Sequence, residues 1–246
     1  MPSRPETASA AAAATAIALA RILDDLALAT PAAGRAAARC RRTCRTISRV
    51  LADRIDGPAA AGTIGRRLVS EAQSFAAAAD QGAVVREFYA AAEAASGTIE
   101  RTSSPILTKR YRLARAMAAG FEAALLGAAF VAEARTSIDE RSDAIAARKR
   151  IDGALQGALD RISDAIGDRA AETLAAAAAQ ASRRLADRAA SLRPTVRVTL
   201  TRAYPSCAVA WRLYGDPNRG EELLRRSACG TPMFMPTEFD ALAPEV

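Results

Sequence analysis

The chain has 246 residues, half of them apolar but only 4% aromatic, with 34 Lys and Arg against 27 Asp and Glu and no histidine. That length carries one or two domains, and an alanine-dominated composition is that of long helices that approach closely through small side chains. The missing histidine removes the commonest general base and metal ligand, and with it the Ser-His-Asp triad, while the net charge of +7 permits contact with nucleic acid or an acidic protein surface.

Taken in order, residues 1–5 read as a frayed terminus. Residues 6–29 predict a helix with Ile17, Leu19, Ile22, Leu23, Leu26 and Leu28 as its apolar stripe. Arg21, Asp24 and Asp25 interrupt that run, so neither it nor any other stretch reads as membrane-spanning. After a turn at residues 30–34, residues 35–55 predict a second helix, basic on one side and stopped by Gly57-Pro58. Shorter helices follow over 63–79 and 83–95. Residues 105–134, with Ile106, Leu107, Leu113, Met117, Phe121, Leu125, Leu126 and Phe130, predict the central helix of a bundle. Residues 136–192 place Ile138, Ile145, Ile151, Leu155, Leu159, Ile162, Ile166, Leu174 and Leu185 mostly three, four or seven apart. This spacing predicts one long helix or two, coiled-coil-like, with a break near Gly167. Ser191-Leu192-Arg193-Pro194 marks a domain boundary, giving a bundle over 1–193 and a small module over 194–246.

The module has a different vocabulary. Five of the chain's eleven aromatics (Tyr204, Trp211, Tyr214, Phe234 and Phe239) fall in it. Val196, Val198 and Leu200 alternate with Arg197, Thr199 and Thr201, which predicts a half-buried strand. Pro205 then opens a short helix with Val209, Leu213 and Trp211 as its apolar side. Gly215 suits a left-handed C-terminal position, Asp216 or Asn218 a cap, and residues 219–226 a second helix with acids early and arginines late. Gly230, Pro232 and Pro236 predict an extended exit. A module this small has little else to fill its interior, so Tyr204, Trp211 and Tyr214 are expected in its core; an exposed groove is the alternative.

The segment YPSCAVAWRLYGDPNRGEELLRRS with the following TPMFMP resembles the C-terminal signature of the Mu-type phage DNA circularization (circulation) proteins, and is similar to the LysM-type modules of contractile-tail baseplates. The resemblance covers about the last fifty residues. It rests on Arg212, Leu213, Tyr214, Gly215, Asp216, Glu222, Leu223 and Pro232; Ser227 stands where an asparagine is usual. It implies a mainly α protein in which an Ala-rich long-helix bundle precedes a small α+β LysM-like module. It further implies a non-enzymatic virion component, made in the bacterial host cytoplasm and built into the tail baseplate. Its partners are then other tail proteins and copies of itself, and Tyr204, Trp211, Arg212, Tyr214 and Asp216 are the candidate docking residues. The alternative is a DNA-binding protein acting on genome circularization or end protection, for which Arg39–Arg45 (RCRRTCR) would hold phosphates.

No cofactor is expected: the chain has no GxGxxG or GxxxxGK[ST], and its four cysteines lack the paired CxxC spacing of zinc sites. Cys40 and Cys44 lie one helical turn apart, poor geometry for pairing with each other, among arginines that would favour a thiolate. Cys207 and Cys229 flank the two short helices and would staple them. The virion setting that the resemblance implies permits a disulfide among Cys40, Cys44, Cys207 and Cys229, with free thiols as the alternative. Acid pairs such as Asp24-Asp25, Asp139-Glu140 and Glu221-Glu222 read as solvated ion-pairing faces.

Overall fold

The computed structural model describes residues 7–30, 34–79, 81–98, 102–138, 140–227 and 229–244. Among them the chain is mainly helical, with ten α-helices and one two-stranded antiparallel sheet near the C-terminus. It divides into two compact units, one of Met1–Ser137 with Ala147–Arg184 and one of Ile138–Ala146 with Leu185–Val246. The second unit therefore takes in more than residues 194–246. Glu140 is bound to Arg226 of the same unit at 2.6 Å.

In the first unit α1 spans Ala8–Ala29, its start capped by Thr7, whose Oγ1 accepts the Ala10 amide proton at 3.1 Å. Its buried face is made largely of alanine: Ala12, Ala16, Ala20 and Ala27 alternate with Leu19, Leu23 and Leu26. Ile17 and Leu28, assigned to that stripe by spacing, point outward. The helix presents the face that lets its neighbours come near, not the one with the most carbon.

Helix α2 spans Gly34–Thr46. The single helix expected over 35–55 ends there, widens into a π-helical stretch at Ile47–Leu51, and closes with a 3-10 turn at Ala52–Arg54. Ile47, Ala52 and Ile55 are all buried, and the wider turn brings these awkwardly spaced residues to one side. Helix α3 (Pro58–Ala78) begins at Pro58 in its first turn, five residues earlier than expected, and buries Ala61, Ile64, Leu68, Ala72 and Phe75. Helix α4 spans Gln81–Ser96. Phe88 of α4 meets Phe75 edge-on, ring centroids 6.3 Å apart.

The long apolar stretch from Pro105 is two helices, α5 (Pro105–Arg110) and α6 (Arg112–Arg135). The break falls at Tyr111, whose ring is turned in beside Ala11 and Ala114. Helix α6 packs against α4, α3 and α1 and is central to this unit. It is long and apolar enough to cross a membrane by length and composition, but 61% of its apolar window is buried inside the fold. It also holds two buried carboxylates, Glu122 and Glu133.

Those carboxylates meet arginines of α7 (Arg141–Ile166). Arg150 Nε and Nη2 donate to the two oxygens of Glu133 at 2.8 and 3.1 Å, and Arg161 donates to Glu122. The paired residues are eleven apart on each helix and run in opposite directions. Helix α8 spans Asp168–Ser191. Gly167 separates α7 and α8 with φ +94°, a conformation that favours glycine. Of the stripe expected from spacing, Ile151, Ile162, Leu174 and Leu185 are buried, but Ile145 and Ile166 point outward; Ala158 on α7 and Ala171, Ala178 and Ala181 on α8 complete the buried faces at three- and four-residue steps or their sum.

In the second unit β1 (Thr195–Thr199) pairs antiparallel with β2 (Glu238–Leu242), Val196 opposite Ala241 and Val198 opposite Phe239. Sequence reading expected only an extended exit where β2 lies. Between the strands come α9 (Ser206–Tyr214) and α10 (Gly220–Ser227). Gly215 ends α9 at φ +72°, and Asp216 Oδ1 accepts the Asn218 amide proton at 2.9 Å to cap the 3-10 turn Pro217–Arg219. The core is Val209, Ala210, Leu223, Met235, Phe239 and Ala241, with Leu200, Leu213 and both Tyr204 and Tyr214 packed against it. Trp211 is not part of it.

Candidate functional site

The second unit presents the residues expected to dock a partner, though not as the sequence arranges them. On α9 the inward positions are Ser206, Val209 and Ala210, with Leu213 half-buried. That leaves Cys207 and Trp211, one turn apart, on the outside. Trp211 is 60% exposed, so the expectation that it fills the core is corrected. The helix is pinned with that side outward because Gly220, at the start of α10, sits against its first turn. A Cβ at Gly220 would lie 3.1 Å from the Cys207 nitrogen and from Ser206 Oγ. No other residue type allows α10 that approach without displacing backbone.

Tyr204 stands just before α9. Arg202 Nε donates to its phenol oxygen at 3.0 Å. The guanidinium carbons of Arg202 and Arg212 lie over its ring, 5.0 and 4.8 Å from the centroid. Hydrogen bonds from Arg202 and then Arg212 hold the phenol below its ordinary pKa. The chain returns along this spot after α10. The Ser206 amide donates to the Pro232 carbonyl at 2.8 Å and the Met235 amide to the Tyr204 carbonyl at 2.9 Å. Between those two anchors Met233 and Phe234 stand out, 60% and 67% exposed.

Tyr214 and Asp216 belong to a separate polar hollow of about 550 Å³ that they share with Arg193 and Arg219. Arg219 covers the Tyr214 ring at 3.7 Å and donates to Glu222. Burial, then the Glu222 charge, raises the Tyr214 phenol. The structure thus joins Tyr204 with Arg212 and places Trp211 beside Arg212 in the chain, while Tyr214 and Asp216 work in the turn. Sequence reading missed Arg202, Met233 and Phe234. The signal was available: two bulky apolar residues in a short loop between Pro232 and Pro236 have no helix or long strand in which to hide.

Of the two alternatives for the cysteines, the structure shows free thiols and no disulfide staple. All four thiols are free, Cys207 exposed and Cys229 partly exposed, with the Cys229 thiol donating to the Thr231 and Phe234 carbonyls. Cys40 and Cys44 are buried and hydrogen-bonded to each other. The Cys44 thiol is raised, first by that bond and then by burial, while the same bond lowers Cys40. Arg39 adds to the lowering of Cys40 as its last and smallest cause, while Arg39 is also bound to Glu71 at 3.3 Å and Arg41 to Asp24 at 3.2 Å. Among the described residues no three His, Cys, Asp or Glu side chains converge as a metal site would need.

In the first unit an apolar groove of about 570 Å³ runs between α3, α6 and α8 over Gly120, Ala124, Gly127 and Ala128. A Cβ built on Gly120 or Gly127 would meet nothing within 4 Å. Neither a protein-family model nor a curated protein sequence matches this chain.

Proposed function

We propose that the chain is a non-enzymatic structural component of a contractile phage tail, placed in the baseplate hub or tail-tube-initiation region. There it joins neighbouring tail proteins through its helical bundle and a LysM-like C-terminal module. The observation that carries the reading is the chain's only tryptophan standing 60% exposed in a unit too small to spare a large apolar side chain. Exposed tryptophan beside arginine is the composition of a binding hot spot, not of a solvated face. The two-stranded sheet with two helices between its strands suits an α+β module of LysM type, and the sequence resemblance supplies the tail setting. Size fractionation of purified tails with detection of the chain tests this. It is expected to co-migrate with particles; recovery solely as soluble monomer sinks the proposal.

The DNA-binding reading has one observation of its own: Arg35, Arg42, Arg45 and Arg49 are exposed along α2 and the turn after it. It requires linear duplex to bind with an affinity that falls steeply with salt, and a gel shift absent at low salt dismisses it.

A further inference from the structure

Resting on that reading of the C-terminal unit as a docking module, we propose that Arg202, Tyr204 and Arg212, with the exposed Trp211 next to Arg212 in the chain and Met233 and Phe234 on the loop anchored to Tyr204, form a receptor for an acidic, apolar segment of a neighbouring protein. The partner's carboxylates meet the two guanidinium groups and its aliphatic side chains cover the exposed tryptophan and phenylalanine.

The first argument is electrostatic. Both guanidinium groups lie about 5 Å from one ring centre, so the two cations are no more than about 10 Å apart, near one Debye length at 0.1 M salt. Three other arginines of the unit are matched: Arg197 with Glu238, Arg219 with Glu222, and Arg226 with Glu140. Among the described residues Arg202 and Arg212 have no carboxylate within ion-pair distance; their shared partner is a phenol. The tyrosine orients the two planar forks while leaving donors free, and a carboxylate accepts such forks two bonds at a time.

The second argument is the exposed apolar side chains. Trp211, Met233 and Phe234 are the most exposed large apolar residues of this unit. Backbone hydrogen bonds hold the Met233–Phe234 loop against Tyr204. A cationic centre with exposed apolar side chains fits a protein segment that carries both acid and aliphatic groups. A single-stranded nucleic acid fits less well. Bases need open ring faces, but arginines already lie over Tyr204 and Tyr214, and two cations make a short track for a phosphate chain.

The full chain supplies its own reporter, since Trp211 is the only tryptophan. Its emission is followed while a synthetic peptide of alternating glutamate and leucine is added. The same peptide with glutamine for glutamate and a single-stranded oligothymidylate form the other arms. The receptor requires a blue shift with the acidic peptide. Affinity should fall roughly tenfold in Arg202→Ala/Arg212→Ala and stay unchanged in Arg225→Ala, an exposed arginine on α10; circular dichroism checks that each variant folds. No shift with the acidic peptide, equal binding of the glutamine peptide, or tighter binding of the oligonucleotide each overturns the receptor. Co-migration with tails is scored separately: a chain found in tails that ignores the peptide refutes the receptor alone, and a chain absent from tails refutes the tail reading alone.

Discussion

The two units use their large side chains in opposite ways. In the first, Phe75, Phe88, Phe121 and Phe130 are all fully buried, and Phe75 and Phe88 meet edge-on. In the second, interior space is scarcer, yet Trp211 and Phe234 are left outside while Met235, Phe239 and Leu223 make the core. The bundle hides all four of these rings and, among the described large apolar residues, leaves only aliphatic side chains such as Ile17, Leu28 and Ile106 outside; a small module that exposes its tryptophan and a phenylalanine has a use for them beyond its own fold.

The sharpest test of that contrast is to truncate one aromatic of each kind. Phe88→Ala empties a sealed site and is expected to lower stability by roughly 3–5 kcal/mol in urea unfolding. Arg150→Met comes next at about 3 kcal/mol, because it strands the buried Glu133 carboxylate, whereas Glu133→Gln costs less, since Arg150 is 53% exposed and can turn to water. Gly220→Ala, with its Cβ 3.1 Å from backbone, is expected to cost about 1–3 kcal/mol and to loosen the packing of α10 on α9.

Glu122 gives a pH signature. Burial raises its pKa in the folded state despite Arg161, so its contribution is fullest below the unfolded value and is lost as pH rises through the higher folded value. Wild type is therefore expected to lose stability relative to Glu122→Gln on going from acid to neutral pH, and parallel curves refute this. Trp211→Ala is the smallest effect, within about 0.5 kcal/mol in stability, but it is expected to reduce recovery of the chain in tails. A large loss of stability in this variant would collapse the contrast between the units.

Much of the first unit was legible because helical spacing survives even where alanine dilutes it. The Gly167 break, the buried Ile151, Ile162, Leu174 and Leu185 of α7 and α8, and the centrality of α6 follow from positions of Ile, Leu, Phe and Gly; the alanines that fill out those faces, and the outward turn of Ile145 and Ile166, do not. What spacing hides is compensation: the π-helical stretch at Ile47 and the break at Tyr111 exist because particular side chains must reach particular neighbours. Strand β2 was illegible for another reason. Its five residues alternate, but the partner that makes it a strand lies some forty positions earlier, across α9 and α10. The site was half legible. Trp211 and Arg212 are conspicuous, but Val209, Ala210, Trp211 and Leu213 leave the inward side of a nine-residue helix undecided until Gly220 fixes it. Arg202 acquires meaning only once Tyr204 and Arg212 are seen together.

The two Glu–Arg clasps between α6 and α7 bear on how such a chain avoids misalignment. Alanine faces are nearly featureless, so sliding one helix past the other by a turn would cost little in contact alone. A slide of any size unfastens both clasps at once and leaves two anions dry. The charges act as a vernier: they add little to the strength of the joint, yet they select one alignment from several that would otherwise be near neighbours in energy.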